Sequence, residues 1–298
     1  MKEIEFFVEG ETRLIGLLGY PVEHTASPAM HNAALKHLGL KYIYVPLSIP
    51  PENLLEAVKA LKVLGFQGFN VTIPHKKNII KYLDEADYHA RLVGGVNTVV
   101  RKDNAFLGYN TDGEGFIRSL EEKGVNLEGK TVFLIGAGGA GWAIAFAIMK
   151  KKPRRLFILN RNMDNVEALR IRLSMAFRKS TILTLPHKKE PLKFTLQVTD
   201  ILINATPVGM DGNSIPFDLD LKQLPSHAVV YDLIYSPPLT PLLKICKERG
   251  LKVINGESML VHQGALSFRM WFGIDPPLEV MRKALRNYLR KKFKEFPE

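Results

Sequence analysis

The sequence predicts an α/β fold. Apolar strand-like runs alternate with helical patterns along most of the chain, the arrangement expected of sheets covered by helices. One stretch, residues 130–161 (KTVFLIGAGGAGWAIAFAIMKKKPRRLFILNR), reads as a complete strand, glycine turn, helix and strand. At 298 residues one or two domains are expected, and an apolar content of 46% suffices for a large core.

Residues 14–18 form the first predicted strand, which ends at Gly19-Tyr20-Pro21. A helix follows, with Ser27 as its N-cap, Pro28 in its first position and Gly39 at its stop. On that reading His31 and His37 lie at the surface. Thr25 and Ser27 admit two readings. They are a turn residue and a cap, or two hydroxyls beside a helix N-terminus that hold a carboxylate. Residues 42–47 are a second strand. Residues 51–64 are a helix with apolar Leu54, Leu55, Val58, Leu61 and Leu64. Residues 68–73 are a third strand, with a further helix starting at Pro74. That helix would carry His75, Lys76 and Lys77 in its first turn, where the dipole disfavours exposed cations by roughly 0.3–1 kcal/mol each. Either the lysines point to water, or one ammonium is held in a cleft for chemistry.

Gly94-Gly95 turns the chain into a strand beginning near Val96, and a hairpin around Lys102-Asp103-Asn104 returns it to Gly108-Tyr109-Asn110-Thr111-Asp112. Thr111 and Glu114 have capping-box spacing ahead of a helix that stops near Gly124, so Asp112 has a structural role as a first-turn acid. Asn70, Thr72, Lys76, Asn97, Asn110 and Asp112 nevertheless all fall at strand ends, where open α/β sheets bind ligands.

The polar turn at 125–129 suits a domain boundary. Beyond it, Gly136 permits a tight turn, Gly138 lets backbone approach a phosphate without an intervening Cβ, and Gly141 stands where helix and strand pack closely. The pattern follows a strand and opens a helix, the context that dinucleotide binding requires, so Gly136, Ala137, Gly138, Gly139 and Ala140 are candidate cofactor residues. NAD sites usually place Asp or Glu at the end of the next strand. Here that strand ends in Asn160-Arg161, and an Arg can pair with a 2′-phosphate, which favours NADP. A helix at 166–177, strands at 201–203 and 229–234, and a helix at 240–249 continue the pattern. Helices at 259–272 and 278–293 close the chain, the last amphipathic and very basic.

Net charge is +11. Much of it lies in two clusters, Lys150, Lys151, Lys152, Arg154 and Arg155, then Arg282, Lys283, Arg286, Arg290, Lys291, Lys292 and Lys294. Without aromatic platforms or a nucleic-acid motif these read as solvated helix faces that attract small anions, and no nucleic-acid partner is expected. The one cysteine, Cys246, excludes an intrachain disulfide and fits a reducing cytoplasm. No apolar run approaches 18 residues, so no membrane partner is expected. MKEIEFFVEGETR carries charges inside its apolar part, unlike a signal peptide.

The segments GYPVEHTASPAMHN, GFNVTIPHKK, GGVNTV, GYNTDGEGF, GAGGAG, NATPVGM, DLIYSPPLTPLL and GESMLVHQGALSF occur in one order, and together they resemble the shikimate dehydrogenase family from about Arg13 to Phe272. The resemblance implies NADPH-dependent reduction of 3-dehydroshikimate to shikimate, in the chorismate route to aromatic amino acids. It implies a substrate domain at 1–115 joined by helices at 256–298, a Rossmann-like cofactor domain at 116–255, and an active site in the cleft between them. By the same resemblance Lys76 and Asp112 are the catalytic pair, and Thr25 and Ser27 hold the substrate carboxylate. Thr72, Asn97, Tyr235 and Gln263 are further substrate contacts. Asn160 and Arg161 meet the 2′-phosphate, and Leu233 and Gly256 lie beside the nicotinamide. No metal is implied, and a monomer or homodimer is expected. Thr25 stands where the family often has Ser, and a second basic residue after Arg161 is absent. A quinate/shikimate dehydrogenase using NAD is therefore the alternative enzyme. A cofactor-sensing protein that has lost catalysis is the non-enzymatic alternative, against which Lys76 and Asp112 together argue.

Overall fold

The computed structural model describes residues 8–293. The first seven residues, and Lys294 of the second basic cluster, lie outside that range. The chain divides into two compact units, one within Met1–Thr111 and Gly264–Tyr288, the other within Asp112–Gln263 and Leu289–Glu298.

The first unit runs β1 (Arg13–Gly19), α1 (Ser27–His37), β2 (Tyr42–Ser48), a 3₁₀ turn (Pro51–Asn53), α2 (Leu54–Val63), β3 (Gly68–Val71), a second 3₁₀ segment (Asn78–Tyr82), β4 (Glu85–Ala86), α3 (Tyr88–Val93), β5 (Thr98–Lys102) and β6 (Ala105–Tyr109). Its six strands lie in the order β2-β1-β3-β5-β6-β4. β1 is parallel to both β2 and β3, whereas β5 is antiparallel to β3 and β6. β2 is added on one side of β1 and β3 on the other, so the exits of β1 and β3 form a topological switch point. α2 buries Leu54, Val58 and Leu61, a stripe at helical spacing, against a core containing Phe66, Phe69 and Phe106.

The second unit contains α4 (Asp112–Glu122), β7 (Thr131–Ile135), α5 (Gly139–Lys150), β8 (Arg155–Leu159), α6 (Met163–Ala176), β9 (Ile182–Thr184), α7 (Lys189–Gln197), β10 (Ile201–Asn204), β11 (Val229–Asp232), α8 (Pro241–Glu248) and β12 (Lys252–Ile254). All its strand pairs are parallel, in the order β12-β11-β10-β7-β8-β9. The switch point is at β7 and β10. α5 is apolar on every side and is buried from Gly141 to Met149, as an all-apolar helix must be. α9 (Glu257–Phe272) and α10 (Leu278–Lys292) end the described chain. The C-terminal half of α9 packs in the first unit, where the Trp271 indole N–H donates to the Val99 carbonyl at 2.9 Å.

Several expectations are corrected. No α-helix starts at Pro74: residues 73–77 are turns, and the helical segment after them is the 3₁₀ piece Asn78–Tyr82. The dipole reasoning about His75, Lys76 and Lys77 therefore has no α-helix behind it. Ser27 is the first helical residue of α1, and Ala26 occupies the N-cap without a side-chain capping bond. His31 is fully buried, stacked on Tyr44 with ring centroids 4.4 Å apart. Its two ring nitrogens have no hydrogen-bond partner among the described residues, and burial pushes its pKa down to about 3, so it is a neutral ring in the core. The turn at 125–129 lies inside the second unit, with Leu127 buried. Among the described residues no helix is long and apolar enough to cross a membrane.

Candidate active site

At the switch point of the first sheet the exits of β1 and β3 press together. A Cβ on Gly19 would lie 2.4 Å from Thr72 Cγ2 and 2.7 Å from Val22 Cγ1, so only glycine fits there. The loop beyond carries Thr25, whose hydroxyl accepts the Ser27 N–H at 3.3 Å. Thr25 thereby satisfies one donor at the start of α1, and Ser27, 7% exposed, takes no part in side-chain capping. Thr25 thus precedes the Ala26 N-cap, and Ser27 is the first residue of α1.

Thr72, half-buried, donates its N–H to the Leu18 carbonyl at 2.8 Å and accepts the His75 N–H at 2.9 Å. His75 is buried, and its Nε2 meets the Ile49 carbonyl at 2.7 Å, so that nitrogen must carry the proton. These bonds hold a tight turn rather than a helix. The next residue, Lys76, accepts the Val96 N–H on its carbonyl at 2.8 Å, and its side chain is half-buried. Asn110 donates its side-chain amide to the Gly95 carbonyl at 2.8 Å. Lys76 is thus pinned to the segment that contains Asn97.

Asn97 is 2% exposed and is the junction of this end of the sheet. Its Oδ1 accepts the Thr111 N–H at 2.8 Å, and its Nδ2 donates to Thr111 Oγ1 at 2.9 Å. The Thr111 hydroxyl is therefore engaged by Asn97, while the Glu114 carboxylate of the expected capping box pairs with Arg118 at 2.9 Å. Asp112, 3% exposed, follows directly as the first residue of α4. Lys76, Asn97, Asn110 and Thr111 are brought together in one unit, and Asp112 is held by covalent continuity with the anchored Thr111. Behind them lies a buried set that sequence reading left without a role: Tyr44, Thr98 and Ser267, gathered around Asn70. Ser267 could have been noticed as a hydroxyl among the apolar residues of α9, between Ala265 and Phe268.

In the second unit, Gly136 leaves β7 with φ of 111°, and a Cβ there would meet the Ala205 carbonyl oxygen at 2.8 Å. Gly138 is the N-cap of α5 and supplies no side-chain cap; nothing lies within 4 Å of where its Cβ would be. The first N–H groups of α5 are thus uncapped by side chain beside an open, Cβ-free surface, and Gly139 and Ala140 lead into the helix. This donor set fits a pyrophosphate. At the exit of β8 the Asn160 side chain donates to the Asn162 carbonyl at 3.1 Å, Asn162 caps α6 by accepting the Asn165 N–H at 3.0 Å, and Arg161 is exposed. Gly256 and Leu233 touch through backbone: a Cβ on Gly256 would fall 1.9 Å from the Leu233 carbonyl oxygen. Tyr235 and Gln263 are half-buried, and the Gln263 amide donates to the Leu260 carbonyl at 2.9 Å. Among the described residues no group of three or more His, Cys, Asp or Glu could hold a metal.

A second unanticipated feature fixes the loops after β10 and β11. Asp232 is buried and accepts from Asn204 Nδ2 at 3.0 Å, the Ile234 N–H at 3.1 Å and the Thr240 hydroxyl at 2.7 Å. Burial raises its pKa to about 6 against the lowering effect of those three donors. A raised carboxyl pKa means the folded state binds more protons than the unfolded state between the ordinary value of 3.8 and about 6. Stability from this group falls as pH rises through that window and is constant above it. Urea unfolding from pH 4 to 7 should therefore show the stability of wild type relative to Asp232→Asn declining with pH up to about 6 and then levelling. A difference independent of pH would rule out the buried titration.

Family models match three segments: the shikimate dehydrogenase substrate binding domain over residues 17–99, shikimate/quinate 5-dehydrogenase over 119–208, and the shikimate 5′-dehydrogenase C-terminal domain over 256–286. Over 287 residues the chain is 44% identical to the shikimate dehydrogenase (NADP(+)) of Methanococcus maripaludis strain C6, covering 95% of this chain and 100% of that one. The chain belongs to the shikimate dehydrogenase family. Solved structures agree. A shikimate dehydrogenase in complex with NADP+ superimposes with a TM-score of 0.87 at 42% identity, covering 95% of this chain and 98% of the other. A shikimate 5-dehydrogenase from Listeria monocytogenes, in complex with shikimate and NAD, gives 0.86 at 34% identity over 95% and 99% of the two chains. Family membership spans both units, so the two switch points belong to one shikimate dehydrogenase architecture: an N-terminal substrate domain and a Rossmann-like dinucleotide domain.

Proposed function

We propose that the chain catalyses the reversible NADPH-dependent reduction of 3-dehydroshikimate to shikimate, a step toward chorismate and the aromatic amino acids. One arrangement carries this reading: at a single sheet end, the Lys76 main chain, Asn97 and Thr111, the residue before Asp112, are tied together by backbone and amide hydrogen bonds. Residues 1–115 with 256–298 serve the substrate, and 116–255 the cofactor. Thr25 and Ser27 hold the substrate carboxylate; Thr72, Asn97, Tyr235 and Gln263 are the other substrate contacts. Gly136, Ala137, Gly138, Gly139 and Ala140 receive the pyrophosphate, Asn160 and Arg161 the 2′-phosphate, and Leu233 and Gly256 flank the nicotinamide.

Reduced nicotinamide, when bound, supplies hydride to the ketone carbon. As the ketone oxygen gains negative charge, the Lys76 ammonium stabilises it and stands ready to give it a proton. The Asp112 carboxylate orients that ammonium. In the reverse direction the same pair takes up the alcohol proton.

The test is absorbance at the reduced-nicotinamide band, with shikimate or quinate each paired with NADP or NAD. Shikimate with NADP should turn over fastest. The second reading, a quinate/shikimate enzyme using NAD, draws on Asn162 and Asp164, which leave Arg161 as the one cation in that loop. Faster turnover of quinate with NAD would favour it, and no turnover with any pair would leave the cofactor-sensing protein. Arg161→Ala is expected to weaken NADP binding while NAD binding stays nearly unchanged, read by titration of each cofactor. Equal loss for both would contradict the 2′-phosphate assignment. The partners are the small-molecule substrate and cofactor, and the assembly a monomer or homodimer. The compartment we propose is the cytoplasm, where the free, buried thiol of Cys246 needs no oxidised partner.

A further inference from the structure

Ser267 lies on α9, 0% exposed, one helical turn after Gln263 and far along the chain from the sheet end it touches. Its hydroxyl is 3.0 Å from Asn70 Nδ2, 2.7 Å from Thr98 Oγ1 and 3.5 Å from Thr111 Oγ1. Asn70 Oδ1 already accepts the Tyr44 hydroxyl at 2.9 Å, which fixes the orientation of its amide and makes Nδ2 the donor toward Ser267. At the far end Asn97 Oδ1 can only accept, and the Thr98 hydroxyl reaches it at 3.0 Å. The two fixed ends support a run in one direction, with Asn70 donating to Ser267, Ser267 to Thr98, and Thr98 to Asn97. The last acceptor is the same oxygen that receives the Thr111 N–H at 2.8 Å.

We propose that Ser267 is a positioning residue for the substrate half of the site. Its hydroxyl closes a hydrogen-bond chain from Asn70 through Thr98 to Asn97, and so steadies the Asn97 amide and Thr111, the residue before Asp112. It rests on the reading of Asn97 and Asp112 as substrate-facing groups. Each link polarises the next, so removing a middle hydroxyl weakens the chain on both sides. Asn70 Nδ2 and Thr98 Oγ1 each lose a partner in a buried place, and Thr98, whose hydroxyl meets Asn97 Oδ1, is less firmly oriented toward it. Because Gln263 and Ser267 share a face of α9, the same anchor sets the rotation of the helix that presents Gln263.

The variants are Ser267→Ala and Ser267→Cys; the second keeps nearly the same volume but bonds weakly. Both are expected to lower kcat/KM for shikimate about 10-fold, through kcat and substrate KM together, because small misplacements of positioned groups are costly. NADP affinity should stay within about 2-fold of wild type, which a general loosening of the protein would not allow. Thr98→Val, which deletes the next hydroxyl at similar size, should give the same split and serves if the Ser267 variants do not fold. Wild-type efficiency in Ser267→Cys, or a parallel loss of NADP affinity, would overturn the proposal. Wild-type turnover in the same assay reports on the functional reading separately. Should that turnover be absent, the Asn97 side-chain amide signals in NMR still decide: they are expected to shift in Ser267→Ala, and unchanged signals would remove the chain.

Discussion

Lys76→Ala is expected to lower kcat by at least about 100-fold with little change in NADP affinity, the range over which positioned proton-transfer groups act. That factor corresponds to roughly 2.7 kcal/mol of transition-state stabilisation. The local structure makes the variant interpretable. Lys76 sits in a turn held by main-chain bonds, its carbonyl to the Val96 N–H and the preceding Thr72 carbonyl to the His75 N–H. Neither depends on the lysine side chain, so truncation removes the ammonium and leaves the turn. Asp112→Ala should also cost turnover, but the double variant should be far less impaired than the product of the single losses, because the two groups act as a unit. Steady-state kinetics with cofactor titration checks all three proteins. Near-normal kcat in Lys76→Ala, or full multiplicativity in the double variant, would remove the pair from the mechanism.

How much of this was legible in the sequence depended on whether chemistry and period agreed. The β7–α5–β8 unit could be read because its strands are uniformly apolar and its glycines fall at the turn. The segment after Pro74 misled because Pro followed by charged residues looks like a helix start. The buried His75 ring bonded to the Ile49 carbonyl belongs instead to a turn, a tertiary contact that no local pattern announces. His31 shows the reverse failure. Ser27, Met30, His31, Ala34 and Leu35 are the buried positions of α1, an unbroken helical stripe, so its period placed His31 inside while its polarity suggested the surface. The short β4, β9 and α3 were unread because they offer too few residues for a period, and α7 because it lacks a side-chain cap and alternates charge with its apolar positions. The Asn70–Ser267 bond joins residues 197 apart in the chain, a pairing only the fold can supply.

Gly141→Ala is expected to weaken NADP and NAD binding alike, by about 10-fold or more, while leaving the protein folded at a lowered Tm. Two effects compete. Alanine in a helix is favoured over glycine by about 0.8–1 kcal/mol. Against that, its Cβ would fall 2.2 Å from the Gly136 carbonyl oxygen and 2.9 Å from the carbonyl carbon. Both are main-chain atoms that cannot swing aside, and Gly136 is itself backed by the Ala205 carbonyl. The start of α5 must therefore move away from the end of β7, at a cost of roughly 1–3 kcal/mol typical of overpacking, which exceeds the helical gain. That movement distorts the turn assigned to the pyrophosphate, a group common to both dinucleotides, so the loss should not discriminate between them. Arg161→Ala, by contrast, should discriminate. Gly138→Ala separates fold from ligand: with nothing within 4 Å and φ of −83°, the added methyl should leave Tm unchanged. Any loss of cofactor affinity in Gly138→Ala then reports a phosphate approaching the bare backbone. Unchanged binding of both cofactors in Gly138→Ala and Gly141→Ala would mean that the dinucleotide does not sit on this turn.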